Sequence, residues 1–205
     1  MPRVSNTEPV RLYDHSMALR LTLLASGRSS SLNDVRFGDD RPLDSTGWQE
    51  VQRVVPALSH LAAAELRYCS PSPRCHETGD VLGLTPMAQP ALRDCDMGRW
   101  HGSTLHEAAT REPQAVHQWF ADPRSAPHGG ESLLAFIRRI GGWLDTRPQV
   151  EGGWLVAVAE PSVVRAALCY ALKVPPHTYW NIDAHPLALV TLFGRTGEWR
   201  LVLES

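Results

Sequence analysis

Nine histidines, four cysteines and a run of three serines are the side chains with which this chain could bind metal, carry redox chemistry or hold an anion. Zinc and redox sites need their ligands at short, fixed spacings, and Cys69, Cys75, Cys95 and Cys169 form no CxxC pair. The histidines form no HxxxH pair, so His76 and His101 read as surface or packing residues rather than ligands. No metal and no organic cofactor is expected. Cys169 lies in an apolar, helix-like segment, where a thiol behaves as a small hydrophobe. All four cysteines read as structural. Ser29, Ser30 and Ser31 could donate hydrogen bonds to an anion, although such a run is as readily a flexible turn. Arg28 beside them could swing toward the same anion or stay in solvent.

These groups need a fold to hold them, and 205 residues suffice for one compact domain. Hydrophobic content of 43% and charged content of 20% are ordinary for a globular chain. Net charge is -2 and no run is rich in lysine or arginine, so a nucleic-acid or membrane-surface footprint is unsupported. The longest apolar stretch, Trp154 to Ala159, is too short to span a bilayer. Met1 to Ser16 has no apolar core of the kind a signal peptide needs. Residues 1–17 read as a flexible extension, 18–205 as the domain, and the cytoplasm as its compartment.

Along the chain, Ala18 to Leu24 reads as a buried strand ending in the Ala25-Ser26-Gly27 turn. Thr46 with Gln49 forms a capping-box pattern, and Val51, Val54, Val55, Leu58, Leu61 and Ala62 repeat at helical spacing. Pro56 should kink or break that helix. Leu66 to Cys69 and Trp154 to Ala159 read as further strands. Arg74 to Leu82, Leu133 to Leu144 and Ser162 to Leu172 read as helices. Leu187 to Phe193 and Trp199 to Leu203 flank a turn and predict a hairpin. Alternating strands and helices predict an α/β domain of three layers, its mixed, mostly parallel sheet covered on both faces. The pocket should lie at the carboxyl ends of the parallel strands.

The order of the turns resembles the histidine-phosphatase (phosphoglycerate mutase-like) superfamily. That family's Arg-His-Gly, Arg-Phe and Asp-x-Pro-Leu-Thr-x-x-Gly segments resemble Ala25-Ser26-Gly27, Arg36-Phe37 and Asp40-Arg41-Pro42-Leu43-Asp44-Ser45-Thr46-Gly47. Its Ser-Pro turn, arginine and threonine resemble Ser70-Pro71, Arg74 and Thr78. Its Leu-x-Glu-x-x-x-Gly-x-Trp-x-Gly resembles the stretch from Leu92 through Asp94, Gly98 and Trp100 to Gly102. Gly129-Gly130-Glu131-Ser132 keeps the family's helix start. Val158-Ala159-Glu160-Pro161 with Val163-Val164-Arg165 is similar to its Val-Ser-His-Gly and Val-Ile-Arg. Each motif alone is weak; taken together in order they are specific.

The resemblance implies a pocket in which a histidine attacks phosphorus, two arginines and a second histidine grip the phosphoryl oxygens, and an acid protonates the leaving group. Carried over, the nucleophile position holds Ser26, the first arginine position Ala25, the second histidine position Glu160, and the acid position Asp94. Only Arg74 survives unchanged. Serine needs a base that neutral imidazole does not, and phosphoryl transfer needs positive charge aimed at the oxygens. One arginine now faces two acids, reversing the formal sign of the pocket. A like-charge contact at ~4 Å costs about 4 kcal/mol at an effective dielectric near 20.

The implied protein is therefore a catalytically defective relative that binds a small ligand, anionic if the arginine dominates, or a partner. Arg74, Arg28, Ser29, Ala25 and Gly27 are the candidate ligand contacts. Ser26, Glu160 and Asp94 are the degenerate catalytic positions. The alternative is a repurposed enzyme, either a weak phosphatase or an acid–base catalyst using Glu160 and Asp94. A homodimer is left open. Trp119, Phe120 and Trp143 are candidates for the pocket mouth, with core packing as their commoner fate.

Overall fold

The computed structural model describes residues 18–29, 35–38, 40–147 and 153–203. The expected extension at 1–17 lies outside the described residues, as do Ser30 and Ser31. Six strands form one sheet in the order β3-β2-β4-β1-β5-β6. These are β1 (Leu19–Ala25), β2 (Leu66–Cys69), β3 (Met87–Ala88), β4 (Trp154–Ala159), β5 (Leu189–Arg195) and β6 (Glu198–Val202). β1 through β4 run parallel, and β5 and β6 add an antiparallel edge. The expected mixed sheet is observed. The two-residue β3 carries no periodic signal and was not foreseen.

Strand periodicity decides the layers. Leu19, Leu21, Leu23 and Ala25 of β1, with Leu155, Ala157 and Ala159 of β4, face one core. That core is closed by α5 (Leu133–Asp145) and α6 (Pro161–Ala171). The intervening Leu24, Val156 and Val158 face a second core under α1 (Ser45–Leu58) and α2 (Pro73–Val81). Both faces of the central strands are buried, which explains their near-continuous apolar runs. A third cluster joins Met97, Trp100, Ala108, Val116 and Trp119 around α3 (Leu105–Arg111) and α4 (Pro113–Ala121).

Two local expectations need correction. Asp44 caps α1, its Oδ1 accepting the Gly47 amide at 2.6 Å, so Thr46 lies inside the helix rather than at its cap. The capping box belongs instead to Thr104 and Glu107 at the start of α3. Pro56 leaves α1 intact to Leu58, where the chain tightens into a 3-10 turn, so the break comes two residues late.

At the far end of the sheet Asp145 accepts bonds from Tyr170 Oη (2.6 Å), Gly197 N (2.8 Å) and Trp199 Nε1 (3.1 Å). Partial burial works against its charge, yet these donors hold its carboxyl below the usual range. Beside it α5 and α6 approach closely at Gly141, where a Cβ would lie 2.1 Å from the Tyr170 ring. Gly141→Ala is therefore expected to destabilise the fold by about 2 kcal/mol through overpacking, despite alanine's better helix propensity. Urea unfolding of the two proteins measures this, and equal midpoints would contradict it.

Candidate active site

Register sets the site. Ala25 of β1 pairs with Ala159 of β4, and Cys69 of β2 with Val158. The residues just past these strand ends, Ser26, Glu160 and Ser70, therefore emerge side by side. Ser26 N donates to Ala159 O, and Ser70 N to Val158 O, each at 2.8 Å. Gly27 follows Ser26 because a Cβ there would meet Leu43 and Val51 at 2.8 Å. Its amide donates to Thr78 Oγ1 at 3.0 Å, and Thr78 in turn donates to Arg74 O at 2.6 Å. The β1 turn is thereby tied to α2.

Arg74 lies in the first turn of α2, after Ser72 and Pro73, and is 9% exposed. Its guanidinium donates to Ser29 Oγ at 3.1 Å and lies 3.8 Å from Glu160 Oε1. Ser70 Oγ donates to the same Glu160 oxygen at 3.0 Å. Glu160 is 1% exposed. Burial above all, and then the charge of Asp94, push its carboxyl above the usual range; Arg74, Ser72 and Ser70 oppose this. Although Ser72 faces Glu160, its hydroxyl is out of hydrogen-bonding geometry, and Oε2 has no partner among the described residues.

Asp94 faces them from the opposite wall. Its Oδ1 accepts from Ser162 Oγ at 2.5 Å and from the Cys95 amide at 2.7 Å. Its loop is clamped by Arg139, which donates to the carbonyls of Ala91, Arg93 and Asp94 and forks onto Glu131 at 2.9 and 2.6 Å. This gives the Gly129-Gly130-Glu131-Ser132 motif its meaning. Gly130 packs where a Cβ would lie 2.1 Å from Asp96 O, Glu131 holds Arg139, and Ser132 caps α5. Glu131 is thus the ion-pair partner of Arg139.

The cleft so framed holds about 380 Å³. Ser26, Gly27, Arg28, Ser29, Arg74, Asp94 and Glu160 all line it. Ala25 does not: it is fully buried and faces the α5–α6 core, so its expected ligand contact is withdrawn. Arg28 borders the cleft but pairs with Asp44 (3.8 Å) and Glu50 (3.6 Å) rather than turning to an anion. Arg165 also lines the cleft, its guanidinium 4.6 Å above the Tyr179 ring. With Arg28, Arg36, Arg74 and Arg165 lining the cleft against Asp94, Glu160 and Asp183, the expected excess of acids over arginine does not hold for the cleft as a whole.

Trp119 reaches the cleft, whereas Phe120 packs behind it and Trp143 lies in the core beside Tyr68 and Arg147. Tyr179 and Trp180 complete an aromatic wall that had been overlooked. Ser162 and Arg165, at one face of α6, could have been found from their i, i+3 spacing.

Among the described residues no group of three or more His, Cys, Asp or Glu side chains could hold a metal. His76 contacts Cys69, and His101 lies 4.0 Å from Asp40. Burial raises the thiols, to about 12 for Cys69 and about 11 for Cys169, so they are poor nucleophiles. No helix among the described residues is long and apolar enough to cross a membrane.

Residues 29–205 match the family described as the histidine phosphatase superfamily (branch 1). Bifunctional protein Rv2228c of Mycobacterium tuberculosis is 31% identical over 127 residues, which are 59% of this chain and 35% of that protein. The chain thus spans about a third of that relative's length. Phosphoserine phosphatase 1 of Hydrogenobacter thermophilus is 25% identical over 150 residues, covering 69% of this chain and 70% of that protein. The solved alpha-ribazole phosphatase from Shigella flexneri superposes with a TM-score of 0.77 at 18% identity, over 90% of this chain and 95% of that one.

The raised carboxyl of Glu160 has a consequence for stability. As pH rises from the ordinary carboxylate value of 4.5, the unfolded chain ionises first and is favoured. The contribution of Glu160 to stability should therefore fall with rising pH until the folded group has also ionised. Urea unfolding between pH 4 and pH 8 should show a shallower decline for Glu160→Gln than for the native chain. Parallel profiles would contradict the assignment.

Proposed function

Since the chain belongs to the histidine phosphatase superfamily, we propose that it is a member whose pocket no longer transfers phosphoryl groups and instead binds a small ligand or a partner. The observation carrying this reading is the buried pair of Arg74 and Glu160, 3.8 Å apart at the base of the cleft. The resemblance implies a phosphate gripped there by two arginines, Arg74 holding the second of those positions, and by a histidine where Glu160 stands. The guanidinium instead spends its charge on a carboxylate that would repel that phosphate.

Three further features agree. The hydroxyl of Ser26 makes no hydrogen bond to His185, the histidine that lines the cleft and that lies 3.1 Å from Asp183 instead. Pro161 follows Glu160 and offers no amide for a phosphoryl oxygen. Asp94 has its Oδ1 taken up by Ser162 and the Cys95 amide. The phosphatase activities in the names of its relatives belong to those proteins.

A second reading has one observation in its favour. Glu160 is a buried carboxyl whose proton affinity is raised by burial and by the charge of Asp94, the direction a general acid needs. The Arg74 pairing and the hydroxyl tied to Asp94 weigh against it.

The test is turnover of p-nitrophenyl phosphate by the native chain and by a double variant, Ser26→His and Glu160→His, at two positions that line the cleft. The native chain should show no hydrolysis above background, and circular dichroism should show both proteins folded. Robust native hydrolysis abolished by Ser26→Ala or Glu160→Gln would overturn the proposal. Hydrolysis by the double variant alone would place the defect in the substituted positions and leave the scaffold intact.

A further inference from the structure

We propose that His128 is a proton-operated latch: neutral, it locks the cleft wall that carries Asp94, and protonated, it releases that wall. The residue is 1% exposed. Its ring lies over the indole of Trp100 with centroids 5.0 Å apart, and Trp119 stands edge-on at 6.2 Å. Nδ1 accepts the Gly130 amide at 3.1 Å. The ring proton must then sit on Nε2, which is buried without a partner among the described residues.

This one acceptor closes a turn on which the wall depends. Arg99 N donates to His128 O at 3.0 Å, and Glu131 N to Asp96 O at 2.7 Å. Gly130 packs between them against Asp96 O, where a Cβ would lie 2.1 Å away, and Gly129 turns at φ +82. The same turn presents Glu131 to Arg139, whose guanidinium holds the carbonyls of Ala91, Arg93 and Asp94. Residues 128–131 thus join the 96–99 segment to the clamp behind Asp94.

Protonation puts a second N–H on the ring, at Nδ1, opposite the Gly130 amide. The acceptor is lost, two donors face each other, and Nε2 still has no oxygen to meet. Trp100 can face a charged ring as well as a neutral one, so the missing acceptor decides. Unmet buried donors are costly; the charged ring gains by reaching water, and the turn must open to let it out. Burial above all lowers the proton affinity of the folded ring below the ordinary 6.5; Asp96 opposes this and Arg99 adds to it. Arg99 is itself held by Glu112, which also accepts from the Trp100 indole. On the Trp119 side, α4 has one titratable residue, His117, and it is exposed. An opened turn takes up its proton near 6.5, before the closed one does, so acid below that value favours opening.

The full chain is followed between pH 8 and pH 5 by NMR of the histidine ring nitrogens and by amide hydrogen exchange. The His128 signal, assigned by its loss in His128→Asn, should show the Nε2–H form at pH 8 and titrate below 6.5. Protection of residues 94–99 and 128–131, taken relative to β4, should fall about tenfold across that range. In His128→Asn the amide oxygen can replace Nδ1 as acceptor with no proton to gain, so protection should stay high at both ends. His128→Phe offers no acceptor and should be poorly protected at both. Every variant keeps Glu160, so the titration of that carboxyl is common to all. A ring that titrates at or above 6.5, or unchanged protection in the native chain, overturns the inference. So does a folded His128→Asn protein that loses protection as the native chain does, or a folded His128→Phe protein as well protected at pH 8 as the native chain. Should a variant fail to fold by circular dichroism, the two measurements on the native chain still decide.

Discussion

A carboxylate and a guanidinium shut away from water are each costly by themselves, and in this fold each is tolerable because the other is present. Arg74 comes from the first turn of α2, and Glu160 from the end of β4. Their pairing joins two segments that the sheet brings together only at its carboxyl edge. Ser70 and Ser29 complete the arrangement, one bonded to each charge. Removing either partner would leave an uncompensated buried charge. The floor of the cleft is thus a fixed electrostatic unit to which any ligand must conform.

The opposite wall is made rigid by a different device. Arg139 gathers three backbone carbonyls and a forked carboxylate, so the loop carrying Asp94 is held by donors rather than by packing. Gly98 and Gly130 let two turns touch through their backbones, with Gly98 at φ +48. Glu112 supports the same region, bonding Arg99 and the indole of Trp100.

Much of this was legible because the central strands are buried on both faces. Runs such as Trp154 to Ala159 announce themselves, and the strand appears with the same bounds. Ser26, Arg74, Asp94 and Glu160 were named from the order of turns and do share one cleft. Ala25 misled because position along a motif does not reveal which face of a strand a side chain takes; the pleat turns it into the core. Arg165, quoted only within its motif, follows Glu160 by five residues on α6, and the Tyr179–Trp180 pair sits in a 3-10 turn with no strand end to mark it. Asp44 displaced Thr46 as the cap because a carboxylate two residues earlier already reached the Gly47 amide. The family match itself begins at residue 29, just past the Ser26 turn, so that turn is placed by the register of β1 against β4.

The strand order has a kinetic meaning. β1 lies between β4 and β5, so its hydrogen-bonding partners arrive about 130 residues or more later in the chain. During synthesis β1 must leave the ribosome with both edges bare and wait until β4 has emerged. The closure entropy of that long loop is lost before the central pairing returns any stabilisation. Such non-local pairing slows folding, and an apolar strand with both edges unpaired is open to the wrong partner until then.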